Sequence, residues 1–276
     1  MTPGGTDLAI LKLTLVTFGV LYATLLSGMY LWQRDLQYFP THRDPAPQSV
    51  GLDGVQRIAL ATPDGETLVL WTSPARADRP TVLFLHGNGG EIADRADRLA
   101  FYRSRGFGVA FLSWRGYGGS TGSPSETGLL TDAKTAYDHL RAQGVEPDRI
   151  VLVGESLGTG PAVQLAAANP VGAVVLEAPY SAAVDIARAA YPWLPVAVLM
   201  KDQFRSRDHI AAVRAPILIL HGEADRVIPP GFGRRLFDAA RDPKTFLSLG
   251  PVGHEALFYP ATWAAGADFI DRTVTP

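Results

Sequence analysis

Hydrophobic positions change their spacing twice along the chain, and the changes mark off three parts. From Leu13 to Trp32 there are 20 residues without a charge, a run that as a helix would extend about 30 Å, the thickness of a bilayer core. Lys12 precedes it, and Tyr30, Trp32 and Tyr38 supply aromatics of the kind that settle at a membrane interface. Residues 1–32 are therefore expected to form an N-terminal membrane anchor with a single transmembrane helix. A cleaved signal peptide would have a shorter apolar region and a small-residue site after it, and no such site stands directly after Trp32. A buried helix of a globular domain is the remaining alternative. Lys12 on one side and Arg34 and Arg43 on the other nearly balance, so the positive-inside comparison leaves the side of the following domain open.

Beyond the anchor, residues 33–56 contain Pro40, Pro45 and Pro47 among polar positions and read as a linker or a strapped-down extended segment. Residues 57–276 then show a different rhythm. Arg57–Ala61 and Thr67–Trp71 flank the turn signal Pro63-Asp64-Gly65, as in an antiparallel hairpin. Thr81–Leu85, Gly108–Trp114, Ile150–Val153, Ala173–Leu176 and Ile217–Leu220 are short, continuous apolar runs that read as buried strands. Asp94–Ser104, Thr127–Gln143 and Thr159–Ala168 between them are helix candidates. This alternation predicts an α/β domain with a mostly parallel central sheet and helices on both faces. The stretch from Tyr180 to Ile210 breaks the rhythm with two prolines and several aromatics. It reads either as a short lid insertion, about residues 181–210, or as a plain crossover.

A net charge of −2 gives no reason to expect a nucleic-acid partner. The absence of cysteine excludes disulfides, thiolate catalysis and cysteine-held zinc. The histidines show no metal-binding spacing, so neither a metal nor a cofactor is implied.

The chemistry concentrates at Gly154-Glu155-Ser156-Leu157-Gly158, directly after an apolar strand and before an alanine-rich helix. A pentapeptide of this form recurs by chance, but strand, turn and helix together make a nucleophile elbow, with glycines where strand and helix must approach closely. Ser156 is the candidate nucleophile. A serine hydroxyl needs a base, and the base an acid to orient it, in the chain order Ser, Asp or Glu, His. Asp225, after the strand Ile217–Leu220, and His254, after the apolar stretch Thr245–Leu249, occupy that order in loops beyond strand ends. Glu223 is the competing acid, while His86 and His221 sit at strand ends before glycines and suit turn structure better than a base. The oxyanion hole should draw on the N–H of Leu157 and on a donor from His86-Gly87-Asn88-Gly89-Gly90, with Asn88 first and Gly89 second.

These segments, with Arg115-Gly116-Tyr117-Gly118-Gly119-Ser120 and His221-Gly222-Glu223-Ala224-Asp225, resemble the α/β-hydrolase superfamily over about residues 57–270. The anchor followed by Gln37-Tyr38-Phe39-Pro40 and the insertion Tyr191-Pro192-Trp193-Leu194-Pro195 is similar to the membrane-anchored group of bud-emergence homologues and protein depalmitoylases. The resemblance implies an α/β-hydrolase fold and a Ser156, Asp225, His254 triad. The expected activity is cleavage of a small-molecule acyl ester or thioester at a membrane. The cysteine-rich N-terminus of the depalmitoylases is missing. A serine peptidase of the same fold and a membrane-anchored scaffold without turnover are the competing readings.

Overall fold

The structure, a computed structural model, describes residues 4–274. Residues 1–3 of the expected anchor and 275–276 of the expected catalytic domain lie outside them. Eight strands form the main sheet: β1 (Gln56–Ala61), β2 (Thr67–Ser73), β3 (Thr81–Leu85), β4 (Gly108–Leu112), β5 (Ile150–Glu155), β6 (Ala173–Glu177), β7 (Ile217–His221) and β8 (Lys244–Ser248). Their order is β1-β2-β4-β3-β5-β6-β7-β8. The hairpin β1–β2 and the β2–β4 pair are antiparallel, and all other pairs are parallel.

Sequence and position agree strand by strand. Every residue of β3, β4, β5, β6 and β7 is buried, as continuous apolar runs covered on both faces require. At the two edges, β1 and β8 keep exposed positions. Helices α3 (Glu126–Ala142), α4 (Thr159–Ala168) and α7 (Pro230–Ala239) cover one face, and α2 (Ala96–Ser104) and α8 (Pro260–Thr273) the other. Ser125 caps α3 by accepting a bond from the Gly128 N–H at 3.1 Å.

The segment 181–210, labelled the lid for its place beside the cavity, lies between β6 and β7. It contains α5 (Ala183–Ala190) and α6 (Val196–Leu199), and both line the cavity above the strand ends. The N-terminal helix α1 runs from Gly4 to Gln37, about 51 Å, and Asp7–Gln37 is long and apolar enough to cross a membrane. It continues five residues past the expected boundary at residue 32, because Gln33, Arg34 and Gln37 find partners on the lid. Gln33 accepts from the Lys201 N–H at 2.7 Å and donates to the Leu199 carbonyl at 3.2 Å. Arg34 grips both carboxylate oxygens of buried Asp202, at 2.8 and 3.2 Å. The following segment is strapped down rather than loose: Phe39-Pro40 pairs in parallel with Gly89-Gly90, and Arg57 binds Asp44.

Candidate active site

Strand β5 delivers Ser156 into a backbone conformation with φ of +50°, a region that costs a non-glycine residue about 1–3 kcal/mol. The two glycines explain how the turn closes. A Cβ on Gly154 would sit 2.8 Å from Thr159 Cα, and one on Gly158 would strike the Leu85 carbonyl of β3. The helix that follows, α4, therefore starts against the sheet with its N-terminal peptide groups beside Ser156.

The structure brings Ser156, His254 and Asp225 together from three loops. His254 Nε2 lies 3.1 Å from Ser156 Oγ, and His254 Nδ1 lies 2.7 Å from Asp225 Oδ2. Asp225 Oδ1 accepts from the N–H groups of Val227 and Ile228 at 2.8 and 2.9 Å. Burial alone would raise the Asp225 carboxyl, but the hydrogen bonds from His254 and these peptides outweigh it and hold the pKa below its ordinary value. Glu223, the competing acid, instead accepts from Ser248 Oγ at 2.6 Å on the surface.

The two strand-end histidines take structural places. His86 is fully buried, 2.7 Å from the Gly87 carbonyl through Nδ1, and burial followed by the Arg95 charge drives its pKa down to about 3. His221 Nε2 lies 2.8 Å from the Ile228 carbonyl, and burial again favours the neutral ring.

Asn88 and Leu157 line the same cavity as Ser156. The Asn88 carbonyl accepts from the Phe39 N–H at 3.0 Å and from Tyr117 OH at 2.9 Å, and its side chain donates to the Gln37 carbonyl at 3.1 Å. These bonds fix the loop in place. They also give the Arg-Gly-Tyr-Gly-Gly-Ser segment a purpose: Tyr117 braces the loop, while Arg115 fastens the segment itself to Asp64 and to Asp132 of α3. Gly89 stands opposite Phe39 in the short parallel pair.

Beneath the site lies a buried ionic network that sequence reasoning missed. Arg95 donates to Glu155 Oε1 at 2.6 Å, and Arg98 binds Glu155 at 3.1 Å and Glu177 at 2.5 Å. Burial would raise the Glu155 carboxyl, yet the two guanidinium charges hold it down at about 2. Glu155 also accepts from the Gly87 N–H at 3.2 Å, and Arg98 donates to the Leu257 carbonyl at 3.1 Å. One cluster thus ties together the loop carrying Asn88, the elbow carrying Ser156 and the turn carrying His254. Its only trace in the sequence is the Glu inside the Gly-Glu-Ser motif, since its partners lie more than 20 residues away.

A cavity of about 400 Å³ opens above Ser156. Its walls are predominantly apolar and come from Leu157, Ile228, the inner face of the lid (Ala183, Ile186, Ala187 and Ala190) and helix α1.

The alpha/beta hydrolase fold model matches residues 80–209. A mycobacterial relative, an uncharacterized protein of Mycobacterium tuberculosis, is 37% identical over 231 residues, covering 82% of each chain. Protein bem46 of Schizosaccharomyces pombe is 32% identical over 239 residues, 81% of this chain and 77% of its own. Among solved structures, an esterase of Pyrococcus furiosus superposes with a TM-score of 0.70, covering 86% of this chain and 99% of the other at 15% identity. With a mostly parallel sheet, a strained serine at its elbow and relatives matched over four-fifths of its length, the chain belongs to the α/β-hydrolase family, in the bem46-like group.

Proposed function

We propose that this hydrolase is a membrane-anchored serine enzyme that cleaves carboxylic esters or thioesters carrying an acyl chain. The observation that carries the reading is a Ser156–His254–Asp225 relay at the floor of an apolar cavity. Ser156 Oγ attacks the carbonyl while His254 Nε2 takes its proton. Asp225 keeps Nδ1 protonated and stabilises the imidazolium that forms. The N–H groups of Leu157 and Asn88 receive the oxyanion. His254 then gives its proton to the departing alcohol or thiol, and water, deprotonated by the same ring, releases the acid. Every proton moves between groups of the chain, substrate and water, so no step draws on a cofactor. Helix α1 supports the membrane placement through its length and its exposed apolar surface.

The test uses purified full-length protein with a fluorophosphonate probe and a panel of esters of graded acyl length. Labelling and turnover are expected in the wild type, and both are expected to vanish in Ser156→Ala. A Ser156→Ala protein that is still labelled at wild-type rate would remove the assignment. Turnover of peptidyl substrates alone would favour a peptidase, and a folded wild type inert to every probe and ester would favour a scaffold.

A further inference from the structure

Helix α1 meets the catalytic domain along one stripe. Leu26, Met29, Tyr30, Gln33 and Gln37 recur at three- and four-residue steps and line the cavity, whereas Leu31 and Trp32 between them are exposed on the other side. Two fastenings bracket the stripe. Near the domain, Gln33, Arg34 and Gln37 hold the lid at Leu199–Asp202, and the Lys201 ammonium stands 4.2 Å from the Tyr30 ring centre. Eleven residues earlier, Tyr22 OH donates to the Trp193 carbonyl at 2.9 Å. The fastenings are about 16 Å apart along the helix, with Leu26 and Met29 between them.

Their chemistry differs in a way that sets a depth. The fastening at residues 33–37 is charged and suits a headgroup layer, while Tyr22 lies in the middle of the uncharged run from Leu13 to Trp32. The lid beside Tyr22 exposes Trp193 to 54% and Val198 to 84%, apolar groups that a lid facing water would hide. With α1 across a bilayer, the lid tip reaches the acyl-chain region, and the cavity runs from there to Ser156.

We propose that α1 is a wall of the substrate site: the acyl chain of an ester lipid in the same bilayer lies against Leu26 and Met29 with its carbonyl at Ser156. The chain passes from lipid to nucleophile without crossing water. This rests on the serine-hydrolase reading above, and it assigns the anchor a part in selecting long-chain lipid esters over short, water-soluble ones.

The experiment uses the full-length protein in phosphatidylcholine vesicles and compares the rates at which an ethyl and a hexadecyl fluorophosphonate modify Ser156. The hexadecyl-to-ethyl ratio is expected to fall at least tenfold in Met29→Trp, which fills the stripe, and to fall also in the milder Leu26→Phe. It is expected to stay at the wild-type value in Leu31→Trp on the lipid-facing side. Thermal melting reports whether each variant is folded. Folded Met29→Trp and Leu26→Phe proteins with an unchanged ratio would overturn the proposal while leaving the hydrolase reading intact. Failure of both probes to modify wild-type Ser156 would remove the hydrolase reading and this proposal with it.

Discussion

Asp225 satisfies its carboxylate with three donors, two of them peptides of its own loop. Because its pKa is lowered in the folded protein, ionised Asp225 stabilises the fold above its ordinary value of 3.8, and that contribution disappears as the pH falls through the lower folded value. Urea denaturation should therefore show wild type and Asp225→Asn differing at neutral pH and converging as the medium is acidified below about pH 4. At neutral pH the substitution should lower kcat by about 10⁴, the loss seen where the acid of such a relay becomes an amide and the ring takes the wrong tautomer. Arg98 tests the network beneath. It is fully buried between Glu155 and Glu177, so Arg98→Met leaves two buried carboxylates short of countercharge. A loss of about 3–5 kcal/mol in denaturant unfolding is expected.

At the scale of elements, the elbow is a packing solution before it is a chemical one. The Gly158 position lies against the β3 backbone, and Gly158→Ala must push α4 off the sheet. A lowered melting temperature is expected, equivalent to about 1–3 kcal/mol, together with reduced labelling of Ser156. The strands that carry this elbow were legible because buried parallel strands leave continuous apolar runs, and β3, β5, β6 and β7 fall where those runs do. Helix α7 was not, because Gly231 and Gly233 give its short span a poor helix propensity even though Phe232 and Leu236 keep a helical spacing. The end of α1 was hidden for another reason. Gln33, Arg34 and Gln37 look like the start of a polar linker, and only the lid, some 165 residues away in sequence, gives them partners.

The whole molecule repeats that division. The approach of Ser156, Asp225 and His254 to one another was readable because each belongs to a short motif in a fixed chain order. Contacts between distant charged residues leave no such order, so the network of Arg95, Arg98, Glu155 and Glu177 was not. Nor was the place of α1 against the cavity, since a uniformly apolar helix does not announce which face will meet protein. The connection from that helix to the catalytic floor is short: Gln37 closes α1 and accepts from Asn88, and Phe39, two residues on, pairs with Gly89. On the proposed membrane placement, a helix that tilts to match a thinner or thicker bilayer pulls on the loop that carries Asn88. Turnover of a short-chain ester, measured in vesicles of graded acyl length, should peak at one thickness and decline on either side, and the replacement Phe39→Pro, which deletes the N–H that binds Asn88, should flatten that dependence. Through this strap, lipid composition would act on the proposed membrane enzyme as a mechanical input.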